Sequence, residues 1–170
     1  MSGWARAVAR GLWAMGCRQV AYVPDNAIAQ VLRALEDEFP SVRSTLATRE
    51  EEAFGIAAGL YLGGARPALM MAASGLGNSL TALSSLHLAY QIPALIVISM
   101  RGEPGEWNWA QVPLGRAVRP ILDALGIQYV EAQSEGQAEE AVRLAGNLAF
   151  NLRVPAACLL PRRLTAPDRR

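Results

Sequence analysis

Three adjacent carboxylates, Glu50, Glu51 and Glu52, stand at the head of the run Ala53-Phe54-Gly55-Ile56-Ala57-Ala58-Gly59-Leu60-Tyr61. A carboxylate drawn into an apolar interface is a candidate for holding or sharing a proton, because buried ionisable groups concentrate where acid–base work is done. Each of the three also has a structural reading. Thr48 with Glu51 three residues on has the form of a capping box, the hydroxyl taking an orphan N–H and the carboxylate reaching back. Glu50 and Glu52 gain about 0.3–1 kcal/mol each from the positive end of a helix dipole. The following turns weigh against a merely charged first turn, since Ala53, Ile56, Ala57, Ala58 and Gly59 leave no polar face, and a helix apolar all round is buried. Gly55 and Gly59 cost roughly 1 kcal/mol each against Ala in a helix interior, so another backbone is expected to approach them. Helical spacing puts Glu50 in line with Ala53, Phe54, Ala57 and Tyr61, and at least one carboxylate is expected in a packed interface.

The elements around this helix alternate. Helix is expected from about Trp4 to Met15, strand over Gln19–Val23, helix over Asn26–Glu38 and strand over Val42–Ala47. After the glutamate helix come strand Ala68–Ala72, helix Asn78–Tyr90, strand Ala94–Ser99, helix Leu114–Leu125, strand Gln128–Val130, helix Glu135–Asn151 and strand Ala156–Leu160. Short, near-continuous apolar strands separated by helices imply a parallel sheet of about six strands covered on both faces, a doubly wound α/β domain. Residues 1–164 are expected to form that single domain, with 165–170 a polar tail.

In such sheets ligands gather beyond the carboxyl ends of the strands. The loops to watch are therefore Pro24-Asp25-Asn26, Thr48-Arg49-Glu50, Ala73–Asn78 and Met100–Pro113. Ser74-Gly75-Leu76-Gly77-Asn78 has the look of a weak GxG phosphate loop, but the third glycine of a dinucleotide fingerprint is missing, and a tight strand-to-helix turn explains the glycines equally well. The loop from Arg101 to Pro113 is long and carries Trp107 and Trp109 among mixed charges, a pattern that suggests a covered binding surface. His87, mid-helix and without a partner nearby in sequence, reads as structural.

Composition excludes several classes. All sixteen basic residues are Arg, so lysine Schiff-base chemistry and a Walker lysine are out of reach for this chain. A net charge of +1 with scattered arginines gives no nucleic-acid or membrane footprint. Cys17 and Cys158 lack metal-ligand spacing and sit among apolar neighbours, which reads as buried free thiols in a reducing, cytoplasmic setting. No apolar run reaches the length of a membrane span.

Taken in order, E-E-E-A-F-G-I-A-A-G-L-Y, the S-G-L-G-N that follows, I-P-A-L-I-V-I-S, R-G-E-P-G, A-Q-V-P-L-G and an early V-P-D-N resemble the pyrimidine-binding domain of thiamine diphosphate enzymes, in particular the sulfopyruvate and phosphonopyruvate decarboxylases. The similarity runs from about Ala5 to Pro161. The Gly-Asp-Gly motif of the family's diphosphate-binding half is absent, so the resemblance implies half an enzyme, similar to the alpha subunits of split sulfopyruvate decarboxylases. The diphosphate and its Mg²⁺ would then belong to a beta subunit, and no residue of this chain is expected to ligate metal. Where relatives often have Gln-Asn before S-G-L-G-N, this chain has Ala72-Ala73.

The same resemblance implies that Glu50 shares a proton with the far pyrimidine nitrogen of the cofactor and that Pro24, Ser74, Gly75, Gly77 and Asn78 line the cofactor. Asp25 would relay a proton near the reacting carbon. Asn26, Arg49, Arg101 and Gln111 would meet a small 2-oxoacid, with Arg101 as reader of a sulfonate or phosphonate and Arg49 as its reserve. An ion pair from Arg101 to Glu103 or Glu106 that merely orders the loop is the alternative. The expected assembly is a homodimer or hetero-oligomer, and the competing functions are a phosphonopyruvate decarboxylase subunit, a noncatalytic interaction or regulatory subunit that keeps the fold and, ranked last, an unrelated nucleotide-binding α/β domain.

Overall fold

The computed structural model describes residues 2–166. Six parallel strands form one sheet in the order β2-β1-β3-β4-β6-β5, with β1 at Gln19–Tyr22, β2 at Arg43–Leu46, β3 at Pro67–Ala72, β4 at Ala94–Ser99, β5 at Tyr129–Glu131 and β6 at Pro155–Leu160. The apolar strands are continuous because both faces are covered. Met70, Leu95, Val97 and Cys158 face one layer, built from α1 (Gly3–Ala14), α2 (Asn26–Glu38) and α7 (Glu135–Leu152). Leu69, Met71, Ile96, Ile98 and Leu159 face the other, built from α3 (Glu50–Leu62), α4 (Ala73–Asn78) and α6 (Val112–Ala124). This is the expected doubly wound α/β domain. A short α8 (Arg162–Thr165) follows β6, and of the expected polar tail, residues 167–170 lie outside the described residues.

The chain moves from β1 outward to β2 and then crosses to β3 on the other side of β1, so the order reverses between β1 and β3. That reversal opens a crevice at the carboxyl edge, and the segments that leave β1 and β3 there are Val23–Asn26 and α4.

Two expectations are corrected. Helix was expected from Asn78 to Tyr90 after a glycine loop, but α4 begins directly after β3 at Ala73. The chain then breaks at Ser79, whose hydroxyl donates back to the Gly75 carbonyl at 3.0 Å, resumes as α5 (Leu80–Ala82), and runs into a π-helix at Leu83–Leu88. The phosphate-loop reading of Ser74–Asn78 falls with it. The second correction concerns the cap of α3. The helix starts one residue later than the capping-box reading requires, with Arg49 at the cap position, so Glu52 rather than Glu51 reaches back to Thr48. Its Oε2 accepts from the Thr48 N–H at 2.7 Å and the Thr48 hydroxyl at 2.6 Å.

Candidate active site

Of the three carboxylates at the head of α3, Glu51 and Glu52 point to solvent and Glu50 turns inward. The helical line of Glu50 is the buried one: Ala53, Phe54 and Ala57 are fully covered. Glu50 lies across Gly75, where any side chain would run into the Glu50 Cγ and carboxyl group. Gly75 is thus explained by the close approach of a carboxylate. Asn78 donates from Nδ2 to Glu50 Oε2 at 3.0 Å, and no donor among the described residues occupies Oε1. Three residues singled out in the sequence therefore meet: Glu50, Gly75 and Asn78, with Ser74 in the same turn of α4. Gly77 faces Leu114 instead, at 3.0 Å from where its Cβ would stand.

The outward side of α3 is bare. Cβ atoms at Gly55 and Gly59 would meet nothing within 4 Å, so the backbone expected to approach them does not come from the described residues.

A second group forms across the carboxyl end of β3. Asp25 caps α2, accepting from the Ala27 N–H at 2.9 Å, and the same oxygen accepts from the Ser99 hydroxyl at 2.8 Å. Ser99 ends β4 in register with Ala72, so this bond passes over the end of β3, with α4 and Glu50 beyond it. Arg101 Nη1 lies 3.7 Å from the other Asp25 oxygen. A cavity of about 320 Å³ opens here, lined by Asp25, Asn26, Ser99, Arg101, Trp107 and Arg162. A larger cavity of about 650 Å³, with Arg116, Arg119, Glu131 and Arg163 in its wall, contains neither Glu50 nor Asp25.

The loop after β4 is held by its own charges. Arg101 forks onto Glu106 through Nε at 2.7 Å and Nη2 at 3.1 Å, and Glu106, 1% exposed, also accepts from the Asn108 N–H at 3.0 Å. The Arg101 hydrogen bonds pull the Glu106 carboxyl down to about 2. Glu103 accepts from Arg119 and from the Arg162 N–H, each at 2.7 Å, which ties the loop to α6 and to the end of β6. Trp107 and Trp109 remain outside, 70% and 85% exposed, as the sequence led one to expect.

The remaining expected residues stand apart. Pro24 and Arg49 are exposed, and the nearest acid to Arg49 is Glu51 at 4.0 Å. Gln111, at the end of a 3-10 turn over Trp109–Gln111, has its Oε1 buried without a partner. Sequence reasoning missed Ser99 and Arg162, although signals existed. Ser99 is a buried hydroxyl closing an apolar strand. Arg162 follows β6 at the carboxyl edge as Arg101 follows β4, and its Nε lies 3.5 Å from Glu106.

The family profile described as "Thiamine pyrophosphate enzyme, N-terminal TPP binding domain" matches residues 3–111, which hold every element of both groups except Arg162. The chain belongs to the thiamine pyrophosphate enzymes. Within that family it is 37% identical to the sulfopyruvate decarboxylase subunit alpha of Methanococcus maripaludis over 92% of this chain and 93% of that one. Its counterpart in Methanocaldococcus jannaschii is 36% identical over 82% of each chain. A phosphonopyruvate decarboxylase of Streptomyces viridochromogenes is 37% identical over 76% of this chain, but only 32% of that protein is covered. Among solved structures, the 2-oxoglutarate:ferredoxin oxidoreductase of Magnetococcus marinus shares the fold, with a TM-score of 0.72 at 17% identity, covering 97% of this chain and 29% of that one.

The residues fit a thiamine pyrophosphate pyrimidine ring on one observation in particular: a carboxylate laid across a glycine, with one oxygen held by Asn78 and the other open to a ring N–H.

Proposed function

We propose that this chain is the alpha subunit of a thiamine diphosphate-dependent 2-oxoacid decarboxylase that converts sulfopyruvate to sulfoacetaldehyde and CO₂, with the diphosphate-binding half and its Mg²⁺ on a separate beta chain. The observation that carries the reading is the Glu50–Gly75–Asn78 arrangement in a chain that matches sulfopyruvate decarboxylase alpha subunits over nearly their whole length. When bound, the cofactor supplies an electron sink for the pair left by departing CO₂.

Glu50 holds a proton at the pyrimidine nitrogen through Oε1, while Asn78 fixes the plane of the carboxylate through Oε2. Ser74, in the same turn of α4, completes the cofactor wall, whereas Gly77 packs on Leu114 and exposed Pro24 stands outside it. Asp25 relays a proton near the reacting carbon; its tie to the Ser99 hydroxyl sets its direction. Asn26, in the wall of the Asp25–Arg101 cavity, meets the substrate, whereas Arg49 and Gln111 stand outside that wall. Arg101 has two nitrogens on Glu106, so a sulfonate is read by its Nη1, with Arg162 as the second cation in the wall of the cavity.

Co-expression with a candidate beta chain that carries the diphosphate motif tests the reading. CO₂ release from sulfopyruvate should need both chains and the cofactor, and this chain alone should bind the cofactor weakly. Tight, Mg²⁺-dependent binding to this chain alone would overturn the split-site reading, and a reconstituted pair that bound cofactor but released no CO₂ would overturn the decarboxylase.

A further inference from the structure

His87 is the only histidine of the chain, and it is fully buried. Its Nδ1 lies 2.9 Å from the Ile92 carbonyl oxygen and its Nε2 lies 2.9 Å from the Phe54 carbonyl oxygen. Carbonyl oxygens only accept, so both contacts are hydrogen bonds only if both ring nitrogens carry a proton. A neutral imidazole has a single N–H and would set a lone pair against the second carbonyl. The doubly protonated ring satisfies both, and charge-assisted bonds of this kind offset part of the cost of burying a cation.

The two carbonyls belong to different parts of the molecule. Phe54 is one turn after Glu50 in α3, and its N–H is the helical partner of the Glu50 carbonyl. Ile92 lies in the turn into β4, just after Gln91 at φ +52°. Phe54 is gripped a second time through its ring, which meets the imidazole edge-on at a centroid distance of 5.2 Å. His87 belongs to the π-helix, where Ala89 N–H reaches Ser84 at 3.2 Å and Ile92 N–H reaches His87 at 2.9 Å, each five residues back. A π turn inserts one residue into the helical ladder and re-aims the side chains beyond it, and such turns concentrate at functional sites. β3, β4 and α5 carry no ionisable side chain; α3 carries Glu50, Glu51, Glu52 and Tyr61, and among the described residues none of these makes an ion pair with His87.

We propose that His87 is a positioning residue, an imidazolium clamp that holds the Glu50-bearing turn of α3 against the entry to β4, so that the aim of Glu50 depends on a proton buried behind it. This rests on the reading of Glu50 as the proton-sharing carboxylate. A single histidine makes the ring directly observable in the ¹⁵N-labelled full chain. Two imidazole N–H signals, both slow to exchange with solvent, are expected at the pH where the two-chain complex turns over; one N–H with a bare second nitrogen at that pH overturns the clamp. In the complex, His87→Gln keeps N–H donors but on a single nitrogen, and so does not span the two carbonyls that face opposite ring nitrogens. Its turnover should fall about tenfold with KM within about twofold, as expected for a small misalignment of a reacting group. Turnover equal to wild type in His87→Gln would overturn the positioning role. If the wild-type complex bound cofactor but released no CO₂, the decarboxylase reading would fail while the ring-nitrogen measurement still decided the clamp.

Discussion

The two charged regions at the carboxyl edge of the sheet are built on opposite plans. Around Arg101 the charges are closed on one another: Glu106 takes the Arg101 fork, Glu103 takes Arg119 and the Arg162 N–H, and the loop needs nothing further to be ordered. At the head of α3 the inner side is organised and the outer side is open, with one oxygen of Glu50 unclaimed and the Gly55 and Gly59 face bare. A loop that satisfies its own charges can keep a substrate cavity in shape before substrate arrives. At the head of α3, by contrast, one oxygen of the inward-turned Glu50 and the outward Gly55–Gly59 face have no partner among the described residues, so this region is not closed by its own groups.

The sharpest way to break that comparison is Glu50→Gln. It removes the proton-sharing group and nothing that holds the fold, so exchange of the cofactor C2 proton in the two-chain complex should slow by ~10²–10⁴-fold, the usual range for a lost acid–base group. Glu51→Gln should leave that exchange unchanged. If Glu51→Gln stopped exchange and Glu50→Gln did not, the assignment would be reversed. Gly75→Ala comes next. The new methyl would displace the Glu50 side chain while α4 keeps its backbone, so turnover should fall about 10²-fold with far-ultraviolet circular dichroism unchanged.

Arg101→Gln tests whether the closed region also reads substrate. A sulfonate-reading Arg101 loses roughly 2–4 kcal/mol of transition-state stabilisation for sulfopyruvate and little for pyruvate, measured as kcat/KM on each. Equal losses on both substrates would leave Arg101 with the loop alone.

The smaller effects concern stability. Glu106 is held down to about 2 against an ordinary 4.5, so it contributes stability that is fully present above about 4.5 and is lost as the pH falls toward about 2. Tryptophan fluorescence, to which the loop residues Trp107 and Trp109 contribute, should therefore stay native-like through the first part of that fall and change toward its lower end, and Glu106→Gln should weaken the dependence, with Glu131 on Arg119 supplying part of what remains. Least of all, Glu52→Gln should lower the thermal midpoint slightly by uncapping α3, while Glu51→Gln should not move it.

Much of this was legible in the residues because it depends on period and type. The alternation of apolar strands with helices defined the sheet, and the strand ends defined where to look. Helical spacing put Glu50 in line with Ala53, Phe54 and Ala57 and so led to the expectation of at least one packed carboxylate, and the family resemblance pointed to Glu50 among the three. What sequence spacing could not show was partners distant along the chain. Ser99 reaches Asp25 from 74 residues away, His87 reaches Phe54 from 33, and only the folded chain brings Glu50 onto Gly75.

The buried thiols carry a practical consequence. Cys17 and Cys158 lie in the same apolar layer between the sheet and α1, α2 and α7, with both thiols pushed up to about 12 by burial. A thiol in that state reacts only when its surroundings open. The rate at which a neutral-pH labelling reagent consumes the two thiols is therefore a clock for the opening of that layer. Because the layer lies across the sheet from α3, the clock should keep its pace in Glu50→Gln and in His87→Gln unless the whole domain loosens, which distinguishes a disturbed site from a disturbed fold without any assay of turnover.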